Sequence, residues 1–295
     1  MHMEILLKVL YAGITTGAIY AAVAVGFNVI YRSGRVFNIA QGEMVMIGTF
    51  LMVALINSGV PPWGAMVLAA FGMATIGLLV ERIVLRKLVG QSEMALFMAT
   101  LGILLVLNGL GHILFGPEPQ LFPELFGRGR WRVAGVNMKI SVLYGAVVIV
   151  LLILALAWFF KHTRIGLLMT AVAESHQTAR SLGVNVRASI AVSWAVSGVI
   201  STIAAAAFMG GRMVSPDIAS IAFVAMPVVL LAGLETIGGV LIGGIIVGIG
   251  QAASARWLDP LTEGGASLVF PFALMLLILM IRPQGLFGWK TIERI

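Results

Sequence analysis

The sequence predicts an all-α, polytopic integral membrane protein that forms about nine transmembrane or partly re-entrant helices. Hydrophobic residues make up 60% of the 295 residues and charged residues only 11%, whereas a soluble domain has roughly 25% charged residues. The mean hydropathy is +1.05. Nine apolar segments approach or exceed the ~20 residues that a helix needs to cross a bilayer. We therefore expect one transmembrane domain over residues 1–295, with roughly eight to ten crossings.

The nine apolar segments follow one another along the whole chain. They cover residues 7–31, 37–57, 65–83, 94–115, 141–160, 188–211, 219–234, 238–256 and 266–282. The segment 219–234 is short, and the segment 37–57 carries polar residues near its start. Either of the two therefore fits a re-entrant or broken helix, since irregular backbone at membrane depth must be covered by protein or line an aqueous cavity.

The basic residues predict how the segments are oriented. Twelve of the 19 Lys and Arg residues fall on the same side as the loop at 161–187, and the positive-inside rule places that side in the cytoplasm. The odd number of segments then puts the N-terminus outside and the C-terminus in the cytoplasm. The net charge of +7 is spread over short loops, which favours orientation in the membrane over binding to nucleic acid.

The loop at 161–187 is the longest polar stretch between two apolar segments, and it predicts a short helix. Small or apolar residues recur in it at helical spacing; they are Leu168, Val172, Ser175, Ala179 and Leu182. Gly183 follows, and glycine ends a helix readily because it adopts the left-handed conformation. A short helix across the cytoplasmic mouth of a membrane bundle is well placed to receive force from a soluble partner.

Three polar residues at the start of the second segment, Asn38, Gln41 and Glu43, cannot all face lipid. A charge or an unpaired amide in hydrocarbon costs several kcal/mol. Two interpretations stay open: the side chains pair with loop backbone at the membrane boundary, or they line a substrate path. Isolated polar residues elsewhere fit ties between helices; they are Asn28, Asn108 and His112.

Residues 116–139 form the one long loop on the extracytoplasmic side. The loop is rich in Pro and Gly, and Arg128, Arg130 and Arg132 alternate within it. These arginines fit contact with lipid phosphate or docking of an acidic extracytoplasmic partner, and charge alone does not separate the two.

A Gly-x-x-x-Gly spacing occurs twice in the segment 238–256, at Gly239 with Gly243 and at Gly244 with Gly248. Small residues at this spacing let two membrane helices approach closely. We expect close helix packing rather than direct substrate contact, although a subunit interface would use the same glycines.

Several groups of residues together resemble the permease subunits of ATP-binding cassette importers for branched-chain amino acids. The groups are Asn38-Ile39-Ala40-Gln41-Gly42-Glu43 with Gly48, Arg164 with Gly166 and 179–185, 232–244, and Arg282-Pro283-Gln284-Gly285-Leu286-Phe287-Gly288. They occur in the family's order and cover nearly the whole chain. The resemblance implies one permease domain in the cytoplasmic (inner) membrane of a bacterium.

The resemblance also implies that 161–187 is a coupling loop seated on an ATPase. The residues expected to contact the ATPase are Arg164, Gly166, Glu174, Gln177, Ala179, Arg180 and Gly183. Gln177 stands where the family carries an acidic residue, Thr170 where relatives usually carry arginine, and Gln41 where they often carry histidine. The implied partners are a second permease subunit, identical or paralogous, two ATP-binding cassette ATPases, an extracytoplasmic solute-binding protein and membrane lipid.

No lysine of the chain lies in the phosphate-binding pattern Gly-x4-Gly-Lys-Ser/Thr. We therefore expect no cofactor in this chain, with ATP used by the partner subunits, and we expect no catalytic or metal site. The competing class is an ion-gradient-driven secondary transporter that uses an intramembrane carboxylate such as Glu43. An intramembrane enzyme would need a nucleophile with its base or a His-Glu-x-x-His motif, and no such metal motif is present.

Overall fold

The computed structural model describes residues 2–127, 129–133, 136–174, 176–181 and 183–288. The α-helices in these ranges are α1 (His2–Gly34), α2 (Gln41–Asn57), α3 (Pro62–Ile83), α4 (Glu93–Phe115), α5 (Ile140–His162), α6 (Arg164–Glu174), α7 (His176–Ser181), α8 (Val186–Phe208), α9 (Ile221–Ala232), α10 (Ile237–Trp257) and α11 (Ala266–Ile281). Each of the nine apolar segments contains one helix. Six of these helices, namely α1, α3, α4, α5, α8 and α10, are long and apolar enough to cross a membrane. The predicted all-α polytopic class is thereby confirmed.

The structure differs from the sequence prediction at the start of α2, at the end of α8 and in the loop at 161–187. Helix α2 begins at Gln41 and not at residue 37, because the chain from Arg35 to Asn38 is irregular. Helix α8 ends at Phe208, before the expected residue 211. The loop at 161–187 contains two helices, α6 and α7, where the sequence predicted one; its helical positions 175 and 182 lie outside the described residues.

The long loop at 116–139 is more regular than its Pro and Gly content predicted. Strands β2 (Arg130–Val133) and β3 (Val136–Lys139) pair antiparallel. Strand β1 (Gln120–Leu121) pairs with β4 (Met213–Val214), which follows α8. We call this end of the bundle the hairpin end, and the opposite end, where α6 and α7 lie, the α6–α7 end.

Helices α1 and α8 occupy the centre of the bundle. Their apolar windows are 72% and 67% buried, compared with 22% for α3 and for α4. Both central helices are rich in small residues, alanine and glycine in α1 and alanine and serine in α8. Small residues let membrane helices pack closely, and this packing matters because lipid supplies no hydrophobic driving force for their association. The outer helices therefore keep the large exposed apolar side chains, such as Phe71 and Ile113.

The tightest crossing joins α10 to α1. A Cβ added at Gly244 would collide with the carbonyl of Gly17, and one added at Gly248 would collide with the backbone of Gly13 and Gly17. The two Gly-x-x-x-Gly pairs of α10 therefore pack against different neighbours, and the pair Gly244 and Gly248 faces α1. The remaining pair packs elsewhere: Gly239 against Phe287 and Thr236, and Gly243 against Val228 and Ala232.

Candidate functional site

The chain between α1 and α2 turns back into the bundle. Arg35 ends α1 with a φ of 52°, and the ring of Phe37 then stacks on that of Phe27 at 5.1 Å. The hydroxyl of Thr100 on α4 donates to the carbonyl of Phe37 at 3.2 Å. Asn38 Oδ1 accepts from the N–H of Ala40 at 3.1 Å, which forms the turn that starts α2.

As a result, α2 begins inside the bundle and not at its edge. Its first residue, Gln41, bonds to Ser197, which lies eleven residues after the start of α8 at Val186. At 1.5 Å per residue, that is about 16 Å along the helix. Of the two segments that fitted a re-entrant or broken helix, the segment 37–57 is therefore interrupted at its polar start.

The short seventh segment meets α2 at the same place. A 3₁₀ turn at Pro216–Ser220 precedes α9, which has only 12 residues. A Cβ added at Gly42 would collide with the carbonyl of Ala219 in that turn. Two interrupted helices thus approach each other within the bundle, and in membrane transporters such discontinuities commonly form the substrate site.

Gln41 is the centre of a buried polar cluster, which we call the Gln41 cluster (Asn38, Gln41, Ser197, Ser201). Its Nε2 donates to Ser201 Oγ at 2.9 Å. Its Oε1 accepts from Ser197 Oγ at 2.9 Å and from Asn38 Nδ2 at 3.2 Å. All four residues have an exposed fraction of 0%, so these bonds offset the cost of burying an amide in an apolar bundle.

Gly26 makes room for this cluster, because a Cβ at that position would collide with the Gln41 amide. Sequence reasoning singled out Asn38 and Gln41 but missed Gly26, Ser197 and Ser201. The serines did carry a signal: Ser193, Ser197 and Ser201 are spaced by four residues and so share one face of a helix. Asn28 ties helices as predicted, since its Nδ2 donates to the carbonyl of Thr236 at 2.9 Å.

Glu43 faces a different neighbour from Gln41. Both of its carboxylate oxygens lie 3.3 Å from Asn108 Nδ2 on α4, and its exposed fraction is 5%. A ring nitrogen of His112 lies 2.9 Å from the carbonyl of Asn108. Among the described residues, no Lys, Arg or His lies within 4 Å of the Glu43 carboxylate. The three residues predicted for a path are therefore divided between two clusters.

Helix α6 packs across the ends of α1 and α5. Gly166 lies against the backbone of Phe159 and Phe160, where a Cβ would not fit. The opposite side of α6 is apolar and uncovered; Ile165, Leu167 and Leu168 are 55%, 54% and 44% exposed. Such a face is suited to contact with another protein or with lipid.

Arg35 connects α6 to the start of the segment that enters the bundle. Its Nε donates to the carbonyl of Ala173 at 2.7 Å, in the last turn of α6. A cation at this position satisfies a free helix-end carbonyl and complements the negative end of the helix dipole. Its Nη2 also lies 4.0 Å from Glu235 in the turn before α10. Arg35, directly after α1, thus contacts both the end of α6 and the turn between α9 and α10. It lies six residues before Gln41 in the chain.

The residues predicted to contact an ATPase fall into two groups. Those exposed at the α6–α7 end are Arg164, Glu174, Arg180 and Gly183, whereas Gly166 and Ala179 are buried. The side chain of Gln177 lies outside the described residues. Gly183 has a φ of +79°, and the N–H of Val184 bonds to the carbonyl of Ala179 at 2.9 Å. This pattern is the glycine-ended helix terminus that the sequence predicted.

We expect Arg35→Gln to loosen α6 while leaving the transmembrane helices folded. Charged hydrogen bonds contribute about 1.5–3 kcal/mol, and the side chain is partly exposed, so amide exchange in 164–174 should accelerate about threefold to tenfold. Hydrogen–deuterium exchange of the purified chain measures this change. Arg82→Gln, an exposed arginine at the same end in the last turn of α3, is the control. Equal exchange in both variants would show that Arg35 does not hold α6.

A family model and two similar proteins agree with the resemblance. A family model described as "Branched-chain amino acid transport system / permease component" matches residues 9–279. The high-affinity branched-chain amino acid transport system permease protein LivH of Escherichia coli (strain K12) is 28% identical over 307 residues, which covers 98% of this chain and 97% of that protein. BraD of Pseudomonas aeruginosa, of the same description, is 27% identical over 304 residues, 98% of each chain. The solved PsaBC from Streptococcus pneumoniae in complex with Fab aligns with a TM-score of 0.48 and 18% identity, covering 95% of this chain and 93% of that one.

Proposed function

We infer that this chain is the membrane-spanning permease subunit of an ATP-driven importer, since it belongs to the family of permease components of branched-chain amino acid transport systems. The substrate we propose is a branched-chain amino acid or a related amino acid or amide. The match over residues 9–279 is the single observation that carries this proposal. The chain itself translocates the solute, has no enzymatic step of its own, and relies on ATPase subunits for energy.

The surface proposed for the ATPase is the uncovered side of α6 and α7. It combines the exposed apolar side chains of α6 with the charges of Arg164, Glu174 and Arg180. Next to it, Arg180, Val184, Asn185, Val186 and Arg187 line an open recess of about 320 Å³. Two arginines around a recess would suit an acidic group of the partner. In this proposal the α6–α7 end faces the cytoplasm and the N-terminus lies outside, in agreement with the distribution of basic residues.

The contacts of Arg35 suggest how ATPase movement would reach the substrate path. A displacement of α6 would pull on its last turn, where the carbonyl of Ala173 accepts from Arg35. Arg35 continues directly into the segment that ends at Asn38 and Gln41. We propose that this movement rearranges the Gln41 cluster and the Glu43–Asn108 pair, so that Asn38, Gln41 and Glu43 become accessible to the substrate in another state of the cycle.

The hairpin end is proposed as the docking side for a solute-binding protein. Trp131 is 55% exposed there, and the neighbouring Arg130 and Arg132 lie on the same strand. Arginine and tryptophan are enriched at protein contacts. A second permease subunit would complete the translocation unit, and two ATPases would occupy the α6–α7 ends of the pair.

Uptake by the reconstituted importer tests this proposal. We expect radiolabelled leucine to enter proteoliposomes that hold this chain, its second permease and its ATPases, with binding protein outside and ATP inside. Omitting ATP or the ATPases should remove the uptake. Uptake by this chain without ATPases, driven by an imposed proton or sodium gradient, would contradict the proposal.

A further inference from the structure

A basic cavity lies at the α6–α7 end, between α1, α5, α6 and α10. It is open to the surface and has a volume of about 350 Å³, and two cations, Arg32 and Lys161, line it together with Phe160, Leu167 and Ile237. This volume is at the lower end of the range for small-ligand pockets. None of the residues predicted for the substrate path lines it. Leu167 lines the cavity and also belongs to the exposed face of α6 proposed for the ATPase, so the two surfaces adjoin.

The guanidinium of Arg32 lines this cavity, and few hydrogen-bond acceptors lie near its N–H groups. Its guanidinium lies over the ring of Phe160, 5.0 Å from the centroid, and Nη2 donates to Thr170 Oγ1 at 3.3 Å. A guanidinium has five N–H donors. Within the described ranges, no carboxylate lies within 4 Å of Arg32, and the nearby acid Glu235 is the partner of Arg35. The half-buried arginine therefore favours a further anion.

The charge balance of the surroundings is positive. Arg32, Arg35 and Lys161 bring three positive charges to the end of α1 and α5, and Glu235 brings one negative charge. An anion such as a phosphate would reduce this excess. Arginine binds phosphate with two parallel hydrogen bonds, and lysine adds a point charge.

The cavity lies at the expected level of lipid headgroups. Lys161 is the next-to-last residue of α5, and Trp158, one turn earlier, is 61% exposed. Exposed tryptophan marks the interface between hydrocarbon and headgroups. Further along the two helices, away from the α6–α7 end, Leu154 on α5 and Ile242 on α10 are 54% and 47% exposed. These side chains offer an apolar surface that continues from the cavity.

We propose that this cavity binds the phosphate of an anionic phospholipid of the leaflet at the α6–α7 end. Arg32 and Lys161 hold the phosphate, and the acyl chains run along the exposed sides of α5 and α10. The bound lipid contacts α1, α5, α6 and α10 at once and so stabilises α6 against the bundle. This lipid site is independent of which solute the protein carries.

Lipid binding to the purified full chain tests the proposal. We expect phosphatidylglycerol, added in detergent, to bind saturably and to raise the thermal unfolding midpoint, whereas phosphatidylcholine does neither. Lys161→Gln should weaken phosphatidylglycerol binding about fivefold, which corresponds to about 1 kcal/mol per basic residue. Adding Arg32→Gln should weaken it about 25-fold in total. Because Lys161 is exposed, its variant remains interpretable if the double variant fails to fold.

Lys87→Gln is the matched control, since Lys87 is an exposed lysine at the same end that does not line the cavity. It should bind phosphatidylglycerol as the unmodified chain does. The proposal is wrong if Lys87→Gln weakens binding as much as Lys161→Gln, or if phosphatidylcholine binds equally well. Inorganic phosphate that alone reproduces the stabilisation would assign the site to a free anion. Release of the lipid on assembly with the ATPases would assign the cavity to that partner.

Discussion

Gly183→Pro is expected to abolish ATP-driven uptake while the chain still inserts into the membrane. The φ of Gly183 is +79°, far from the −65° that proline requires. Its N–H also donates to the carbonyl of Arg180 at 3.0 Å, and proline has no such donor. The change would therefore disrupt the end of α7 and the entry into α8, at the surface proposed for the ATPase. Uptake by the assembled importer and the amount of chain in the membrane are the two measurements.

A matched control for Gly183→Pro lies at the hairpin end of the bundle. Gly59 has a φ of +91°, donates to the carbonyl of Ile56 at 2.9 Å, and is followed by Val60, whose N–H bonds to Leu55 at 3.1 Å. Gly59→Pro therefore disrupts the same backbone motif at the hairpin end. We expect it to keep most of the uptake that Gly183→Pro loses. Full uptake by Gly183→Pro would remove the coupling role from this loop.

Gly17→Leu is expected to unfold the bundle or to lower its stability by more than about 3 kcal/mol, at the upper end of the cost of overpacking a core. A Cβ at Gly17 collides with the carbonyl of Gly244 and approaches Ile245 Cα at 2.9 Å. Backbone atoms cannot move aside as a flexible side chain can, so α1 and α10 would have to separate. The thermal unfolding midpoint of the purified chain measures the loss, and Gly17→Ala gives a graded value if the leucine variant does not accumulate.

Gly102→Leu on α4 separates this close crossing from the intrinsic cost of replacing a helical glycine. A Cβ at Gly102 has no atom within 4 Å, and leucine has a higher helix propensity than glycine. We expect its unfolding midpoint to equal or exceed that of the unmodified chain. A similar loss in both variants would show that the α1–α10 contact does not limit stability.

The resemblance identified the family from ordered groups of residues, and the tertiary contacts then changed the interpretation of several of them. Gln41 was predicted to line a path or to pair at the membrane boundary, yet it bonds to Ser197 and Ser201 on α8. Those serines are more than 150 positions away, so no local pattern around Gln41 indicates them. The glycines of α10 were predicted to pack closely, but their sequence alone does not indicate that Gly13 and Gly17 lie opposite two of them.

Arg35 illustrates the same limit. In the sequence it is one of the basic residues that set orientation, and nothing near it indicates a bond to the end of α6. That bond depends on a chain reversal with a φ of 52° at Arg35 itself and on the placement of α6 across α1. The bond joins two residues that are 138 positions apart in the chain.

The sequence by itself determined that the protein is a helical membrane protein, where its nine apolar helices lie, and that Gly183 ends a helix. The first two properties depend on the free energy of transferring each segment from water to lipid, and the third depends on the backbone preference of one residue. Both quantities are local to a segment or a residue. Only the tertiary structure decided that α2 starts inside the bundle, that α1 pairs with α10, and that Arg35 holds α6. These features depend on shape and hydrogen-bond complementarity between distant segments, because lipid solvates every apolar helix face about equally well.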